Sequence, residues 1–522
     1  MTTELKSKPV THESIWVATT KLPAYTPLVM NTQADVCIVG AGMAGLSTAY
    51  MLTQAGKSVV VLDDGPLAGG ATQATTAHLS QALDVRYFEI ERLHGDEAAR
   101  LAAESHTAAI ARIEAIVRKE QIDCDFERLD GYLFLELGEN EELLERELAA
   151  VQRAGLSAVE MVRHSPLQSY DTGPCLRFPN QAQFHPLKYL AALAAAIERA
   201  GGRIFTGTHV DQITDSHPSA PAHIKAGSYV VTADAVVVAT NAPINDLLVI
   251  QTKQTAYLSY VIGAKVPRGA VAKALYWDTA SPFHYLRLQE LPAGGTDTNG
   301  PWDLLIVGGE DHKTGQVHDT QNRHARLETW ARQRFPMMEP VAFTWSGQVM
   351  EAIDGLAFIG RNPLDMDNVF VITGDSGMGM THGTIAGMLL TDLIAGRENP
   401  WEALYDPSRK TLGSVGDYAA KTLNLVDQIT DWITPGDVNS AEEIAKDNGA
   451  VLRDGLTKVA VYRDAQGALH KCSAICPHLG CIVAWNANEK TWDCPCHGSR
   501  FDKLGKVING PANTELLPHV AS

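Results

Sequence analysis

Five of the chain's eight cysteines fall within 25 residues, at positions 472, 476, 481, 494 and 496. A chain of 522 residues has core enough to do without a disulfide scaffold, so this cluster reads first as a metal site. Cys476-Pro477-His478 gives C-x-H and Cys494-Pro495-Cys496-His497 gives C-x-x-H, with 15 residues between His478 and Cys494. Two thiolates and two imidazoles on paired loops suit a [2Fe–2S] cluster in which two cysteines hold one iron and two histidines the other. A tetrahedral zinc ion accepts the same four donors and is the alternative.

The second constellation is near the other end. Gly40, Gly42 and Gly45 form G-x-G-x-x-G after a short apolar run and before a helical one. The first glycine permits a tight turn, the second lets a pyrophosphate approach the backbone, and the third allows close helix–strand packing. A helix N-terminus beyond the turn offers free N–H groups to phosphate. Asp63, followed by Asp64, ends the next strand, where a carboxylate accepts from ribose hydroxyls. No second such triplet occurs, which favours one tightly held dinucleotide and an organic electron source.

These residues need elements to hold them. Residues 35–64 read as strand, glycine turn, helix and strand, and 85–120, 139–154 and 187–200 carry helical patterns. Residues 203–260 and 301–310 are strand-rich. Residues 369–397 repeat strand, glycine loop and helix, and 411–434 read as a helix before a turn at Pro435-Gly436. Short strands follow from about 437. Lys plus Arg number 43 against 61 Asp plus Glu, a formal charge of −18, which argues against a nucleic-acid partner. With 45% hydrophobic residues the chain is globular. The start has no signal-peptide core and no stretch has transmembrane length, so a soluble, cytoplasmic protein is the default.

Residues 35–405 resemble FAD-dependent oxidoreductases of the D-amino-acid-oxidase or glycine-oxidase type. The resemblance is carried by GAGMAG, VVVLDD, GGATQATTAH, ADAVVVATNAP and GDSGMGMTHGTIAGMLLTDLI. It implies FAD contacts from Gly40, Gly42, Met43, Ala44, Gly45, Asp63, Asp64 and Thr76. In this family the late block returns the chain to the flavin, which places Gly377, Met378, Gly379, Met380, Thr381 and His382 at the pyrimidine end of the ring; Val210 matches the adenine position. The C-terminal part resembles Rieske proteins of the cytochrome bc complexes. That implies Cys476, His478, Cys494 and His497 as cluster ligands, a disulfide between Cys481 and Cys496, and a covering loop at Gly510-Pro511-Ala512. Ser499 is kept where such proteins donate a hydroxyl to sulfur, and Phe501 stands where they carry tyrosine. Cys37, Cys124, Cys175 and Cys472 read as ordinary thiols.

The expected architecture is an α/β FAD-binding Rossmann-type domain with an interleaved β-rich substrate domain, plus a small all-β domain. Its expected order is a lead-in over 1–34, FAD-binding pieces near 35–85, 150–250 and 345–410, and substrate pieces near 86–149 and 251–344. A helical linker over 411–436 and a Rieske domain over 437–522 follow. Substrate candidates are Tyr257, Tyr260, His284, Tyr285, Arg287, His312, Lys313 and His382, with Trp345 packing near the flavin. As in amino-acid oxidases, Arg287 with a tyrosine would hold a substrate carboxylate. The implied activity oxidises a C–N bond of an amine or amino acid and passes electrons singly through the cluster to an external acceptor, possibly a redox protein. The alternative is an electron-transfer or redox-sensing flavo-iron-sulfur protein without amine turnover.

Overall fold

The run QADVCIVG builds the strand Thr32–Val39, whose inner residues Val36, Cys37 and Ile38 have no solvent exposure. Both faces are covered, as its uninterrupted apolar character requires of a parallel strand. It pairs in parallel with Tyr229–Val238 on one side and Val59–Leu62 on the other. The computed structural model describes residues 10–214, 220–245, 250–291, 301–317, 319–363, 365–410, 432, 435–455 and 457–519. The first sheet runs Phe358–Arg361, Val369–Thr373, Tyr229–Val238, Thr32–Val39, Val59–Leu62 and Arg203–Phe205, with Ala222–Ala226 and Gln212–Thr214 branching from it. Helices Met43–Gln54 and Gly379–Ile394 cross on this sheet. The crossing is close because it is built on glycines. A Cβ on Gly383 would lie 3.0 Å from the Ala44 nitrogen, and one on Gly387 3.0 Å from Ser47 backbone.

The second sheet has nine strands, in the order Val341–Ala352, Gln254–Pro267, Trp302–Lys313, Tyr285–Glu290, Leu275–Asp278, Glu127–Phe134, Cys175–Gln183 and His78–Leu79, with Glu160–Val162 on Cys175–Gln183. This redraws the interleaving. Cys175–Gln183, expected with the FAD-binding pieces, pairs with Glu127–Phe134 in the second sheet. Helix Asp96–Glu120, expected with the substrate pieces, packs against Gly379–Ile394, with His106 Nδ1 2.9 Å from Thr381 Oγ1. Pairing between segments this far apart leaves no mark on local periodicity. The lead-in is also more than polar chain: Ile15–Thr19 is a helix whose Trp16 is fully buried and donates to the Thr75 carbonyl at 2.6 Å.

The C-terminal unit has two antiparallel sheets. One comprises Asn448–Asp454, Thr457–Arg463 and Leu469–Ser473; the other Ala484–Asn486, Thr491–Asp493, Arg500–Asp502 and Val507–Asn509. The helix expected over 411–434 lies almost wholly outside the described residues. Among the described residues no helix is long and apolar enough to cross a membrane.

Candidate active site and metal centre

Gly40 ends the first strand at φ +109°, and a Cβ there would sit 2.4 Å from the Ala239 carbonyl oxygen. Gly45 packs differently: its Cβ would lie 1.9 Å from the Gly40 oxygen, so it closes the helix on the turn and does not face the cavity. That cavity, about 490 Å³, opens where the parallel strands end. Gly40, Gly42, Met43, Ala44, Asp63 and Asp64 line it. Each Asp63 oxygen already accepts a backbone N–H, Oδ2 from Ala41 at 2.6 Å and Oδ1 from Gly65 at 2.8 Å. Asp63 therefore braces the turn while facing the cavity. Burial raises its carboxyl, whereas the neighbouring His209, 3.6 Å from Asp64, lowers that of Asp64. Thr76 and Val210 line the same space. A cavity of this size with a glycine-lined turn, a helix N-terminus and acids at the second strand end fits FAD.

At the far end Gly377, Met378, Gly379, Met380 and His382 line the cavity. Thr381 turns away: its hydroxyl donates to the Met378 carbonyl and faces His106. His382 fixes Nδ1 on the Asp375 carbonyl at 2.9 Å, and its Nε2 is buried without a partner. Burial pushes His382 down to about 4, so the ring is neutral at pH 7.

Three acids here went unseen in the sequence. Asp84, Asp311 and Asp375 all line the cavity. Burial raises them to about 7, 6 and 6 respectively, and Asp311 and Asp375 push Asp84 further up while Arg86 pulls it back. Asp375 stands inside the quoted block GDSGMGM and was the readable one. Asp84 stands in an unremarkable segment, and Asp311, between Glu310 and the candidates His312 and Lys313, carries no local sign that it faces the cavity.

Of the substrate candidates, Tyr285 lines the cavity, its hydroxyl 2.6 Å from Ser259 Oγ. Gly308 leaves room for that ring, since a Cβ there would lie 2.3 Å from it. Arg287 does not line the cavity. Its Nη1 donates to the carbonyls of Ala77 at 3.0 Å and Phe184 at 3.1 Å, and Nη2 donates to Gln289 Oε1 at 2.7 Å. Trp16 covers it, with the guanidinium 5.2 Å from the ring centre. His284 holds Asp278 at 2.7 Å and stacks on Trp330, away from the cavity. Tyr260 bonds His312 Nε2 at 3.0 Å and lies beside residues of the C-terminal unit, including Glu489 and Asp493. Tyr257 and Lys313 face each other across two strands. Trp345 donates to the Ala74 carbonyl at 2.9 Å and packs in the core.

The cluster loops are closed by their own backbone. Cys476 N donates to Cys481 O at 2.8 Å and Cys494 N to Ser499 O at 2.8 Å. Cys476 and Cys494 are buried with their thiols in mutual hydrogen-bond reach, and the His478 and His497 rings meet edge-on at 5.0 Å. A disulfide joins Cys481 to Cys496, with Cα atoms 6.4 Å apart. The Cys481, Cys494 and Cys496 sulfurs crowd within 4.8 Å, but only Cys494 of the three keeps a free thiol that could hold a metal. Two thiols and two imidazoles converging from bridged loops fit a mixed-ligand [2Fe–2S] cluster. Ser499 hydrogen-bonds the Cys476 sulfur and accepts from Ala512 N at 3.0 Å, which seats the proline loop. Cys37, Cys124, Cys175 and Cys472 are buried free thiols.

The two centres adjoin. Gln348 lines the cavity and donates from Nε2 to the carbonyl of Gly498, the residue after His497, at 2.6 Å. Gln316 donates to the Pro495 carbonyl at 2.9 Å, and Asn513 to the Val210 carbonyl at 2.9 Å. Residues 507–510, 512 and 513 form part of the cavity wall.

Comparison with known proteins agrees with this geometry. Residues 35–393 match the FAD dependent oxidoreductase (DAO) family, and residues 434–520 the Rieske [2Fe-2S] domain. The chain is similar to the putative Rieske 2Fe-2S iron-sulfur protein YhfW of Bacillus subtilis (strain 168), 32% identical over 505 residues and 96% of each chain. It is also similar to gamma-glutamylputrescine oxidoreductase of Escherichia coli (strain K12), 26% identical over 402 residues, covering 73% of this chain and 88% of that one. Glycine oxidase from Geobacillus kaustophilus shares the fold, with a TM-score of 0.59 at 18% identity, over 73% of this chain and 100% of that one. The chain belongs to the FAD-dependent oxidoreductases of the DAO family and carries a Rieske [2Fe–2S] domain at its C-terminal end.

Proposed function

We propose that the chain oxidises a C–N bond of an amine or amino acid and that the electrons leave one at a time through the cluster to an external acceptor. One observation carries this reading: Gln348, a wall residue of the flavin cavity, holds the turn of the cluster ligand His497. When bound, FAD supplies acceptance of an electron pair with release of single electrons, and the cluster a one-electron carrier. In the net reaction the α-C–H bond breaks with its electron pair and the nitrogen lone pair closes a C=N bond. Water then gives a carbonyl and the freed amine, two equivalents of a one-electron acceptor are reduced, and the protons go to solvent. The chain's part is to hold the amine against the loop 377–379. Tyr285 and Ser259 offer hydroxyls, and the neutral His382 keeps Nε2 for the cavity.

The test is anaerobic mixing with a panel of amines, N-methyl amino acids and D-amino acids, following flavin and cluster absorption together. Both bands should bleach with the same substrate. Flavin bleaching with the cluster still oxidised would refute the electron route. Rapid cluster reduction by a carrier protein without amine turnover would favour an electron-transfer or sensing role instead.

A further inference from the structure

The substrate end of the cavity offers negative charge and no fixed positive charge. Among the described lining residues there is no arginine and no lysine, while Asp84, Asp311 and Asp375 stand together there. Two of them press on the flavin loop. A Cβ on Gly377 would lie 2.0 Å from Asp84 Oδ2, and one on Gly379 2.5 Å from Asp375 Oδ2. The Oδ1 atoms of Asp311 and Asp375 are both buried and accept no hydrogen bond. His382 Nε2 and Gln348 Oε1, on side chains 1% and 5% exposed, are likewise buried without partners in the same wall.

The cations near these acids are committed elsewhere. Arg287 is spent on backbone carbonyls and Gln289. Arg86 donates to the carbonyls of Leu83 and Asp278. Arg323 donates to the Glu310 carbonyl at 3.0 Å and to Asp319 at 3.0 Å. A substrate carboxylate entering here meets three carboxyls and no guanidinium. An ammonium meets unpartnered carboxylate oxygens and the aromatic walls of Trp277, Phe283 and Tyr285, whose ring faces also attract cations. Arg86 acts on Asp84, and His284 and Arg323 on Asp311, through charge alone, with no hydrogen bond from the two arginines to these acids, so an ammonium bonded directly to them offsets part of the cost of their burial.

We infer that the substrate is a cationic alkylamine, diamine or polyamine with no carboxylate on the carbon that is oxidised, and that Asp84, Asp311 and Asp375 receive its ammonium. The inference rests on the C–N oxidation proposed above and narrows its substrate class. In the step it implies, one carboxylate takes an N–H proton from the ammonium and later releases it to solvent. The freed lone pair forms C=N as the α-C–H bond breaks with loss of hydride, for which FAD, when bound, would supply the two-electron acceptor.

The experiment uses the intact holoprotein. Anaerobic flavin reduction is measured with benzylamine, putrescine and spermidine against glycine, sarcosine and D-alanine. The amines should be faster by at least about 100-fold in second-order rate, the size expected when a buried charge is paired in one ligand and opposed in the other. A titration without turnover runs alongside. Benzyltrimethylammonium should perturb the flavin absorption and benzoate should not, and Asp311→Asn should weaken the cation at least about tenfold with FAD content unchanged. If that variant loses FAD, the wild-type titration decides alone. Faster reduction by the amino acids, or benzoate binding in place of the cation, would overturn the inference. The two proposals fail separately. Amino acids bleaching both bands would remove the cation reading and keep C–N oxidation; amines bleaching flavin alone would keep the cation reading and remove the electron route.

Discussion

Gly498 is where the two centres touch most closely, and adding one methyl group tests that contact. It sits at φ +80°, and a Cβ there would lie 2.1 Å from Ala256 Cβ and 2.9 Å from Gln348 Nε2. Carbon atoms settle at about 3.5–4.0 Å, so in Gly498→Ala the turn has to retreat by roughly 1.5 Å. Ala256 cannot yield in its place, because it is buried in Gln254–Pro267 and paired to Met350 in a nine-stranded sheet. A retreat of that size breaks the Gln348–Gly498 hydrogen bond, now 2.6 Å, and strands two buried polar groups. The loss is about 1–3 kcal/mol, which is a factor of about 5 to 140 in the ratio of docked to undocked turn. The left-handed strain of an alanine, roughly 1 kcal/mol, is present in both states and cancels. In anaerobic stopped flow, flavin bleaching should keep its rate while cluster reduction slows at least about fivefold, with the cluster's EPR signal and iron content unchanged. Ala256→Gly in the same chain removes the 2.1 Å conflict, leaving a 3.6 Å contact to the Ala256 Cα and the 2.9 Å approach to Gln348 Nε2, the far end of a flexible side chain, and should recover much of the rate. Unaltered cluster reduction in Gly498→Ala, or no recovery in the double variant, would refute the reasoning.

Three further outcomes are expected. Phe501 is fully buried in the apolar cluster that contains Cys476 and Cys494, so Phe501→Tyr adds a hydroxyl donor beside the cluster and should raise its reduction potential; protein-film voltammetry giving an unchanged or lower value would contradict this. Replacing Cys481 and Cys496 together by serine opens a bridge spanning 15 residues, worth about 3 kcal/mol in the chain-entropy account. The cluster band should melt at lower temperature while the FAD-release temperature holds, and equal shifts of both would sink the idea. Asn513→Ala removes the 2.9 Å bond to the Val210 carbonyl and so loosens the cavity wall at Val210. At about 0.5–1.5 kcal/mol, FAD should dissociate roughly two- to twelvefold faster, and an unchanged release of flavin fluorescence would take the C-terminal loop out of the binding site.

The glycine turn and the cluster loops were legible because each is contiguous: a strand, a turn and a helix in one segment, or two cysteines and two histidines in motif spacing within 22 residues. The acids of the cavity were not. Asp84, Asp311 and Asp375 come from three distant segments, joined only by how the second sheet and the late glycine loop meet. Arg287 shows the opposite difficulty. It stands two residues after Tyr285 on one strand, hence on the same face, and residue type alone suggests a shared role. Two residues along a strand span about 6.6 Å, however, which is enough to leave the cavity. There Arg287 passes beneath Trp16 and is used up by the carbonyls of Ala77 and Phe184. The segment that covers it comes from the lead-in, whose polar composition hides one buried tryptophan.

Strand alternation along Gln254–Pro267 accounts for the remaining candidates and for how the two centres are related. Ser259 and Val261 line the cavity. Ala256 and Tyr260, on the other parity, meet the C-terminal unit, Ala256 at Gly498 and Tyr260 beside Asp493. Tyr260 and its partner His312 therefore belong to the docking face, although their types suit a substrate site equally well. Cavity and cluster turn adjoin at the edge of this sheet, where Gln348 of the edge strand Val341–Ala352 lines the one and bonds the other. Side chains of a single strand point alternately to its two faces, so a change at 259 or 261 should act on substrate reduction and one at 256 or 260 on cluster reduction. Neighbouring residues one position apart would then separate the two half-reactions, which no local pattern in the sequence distinguishes.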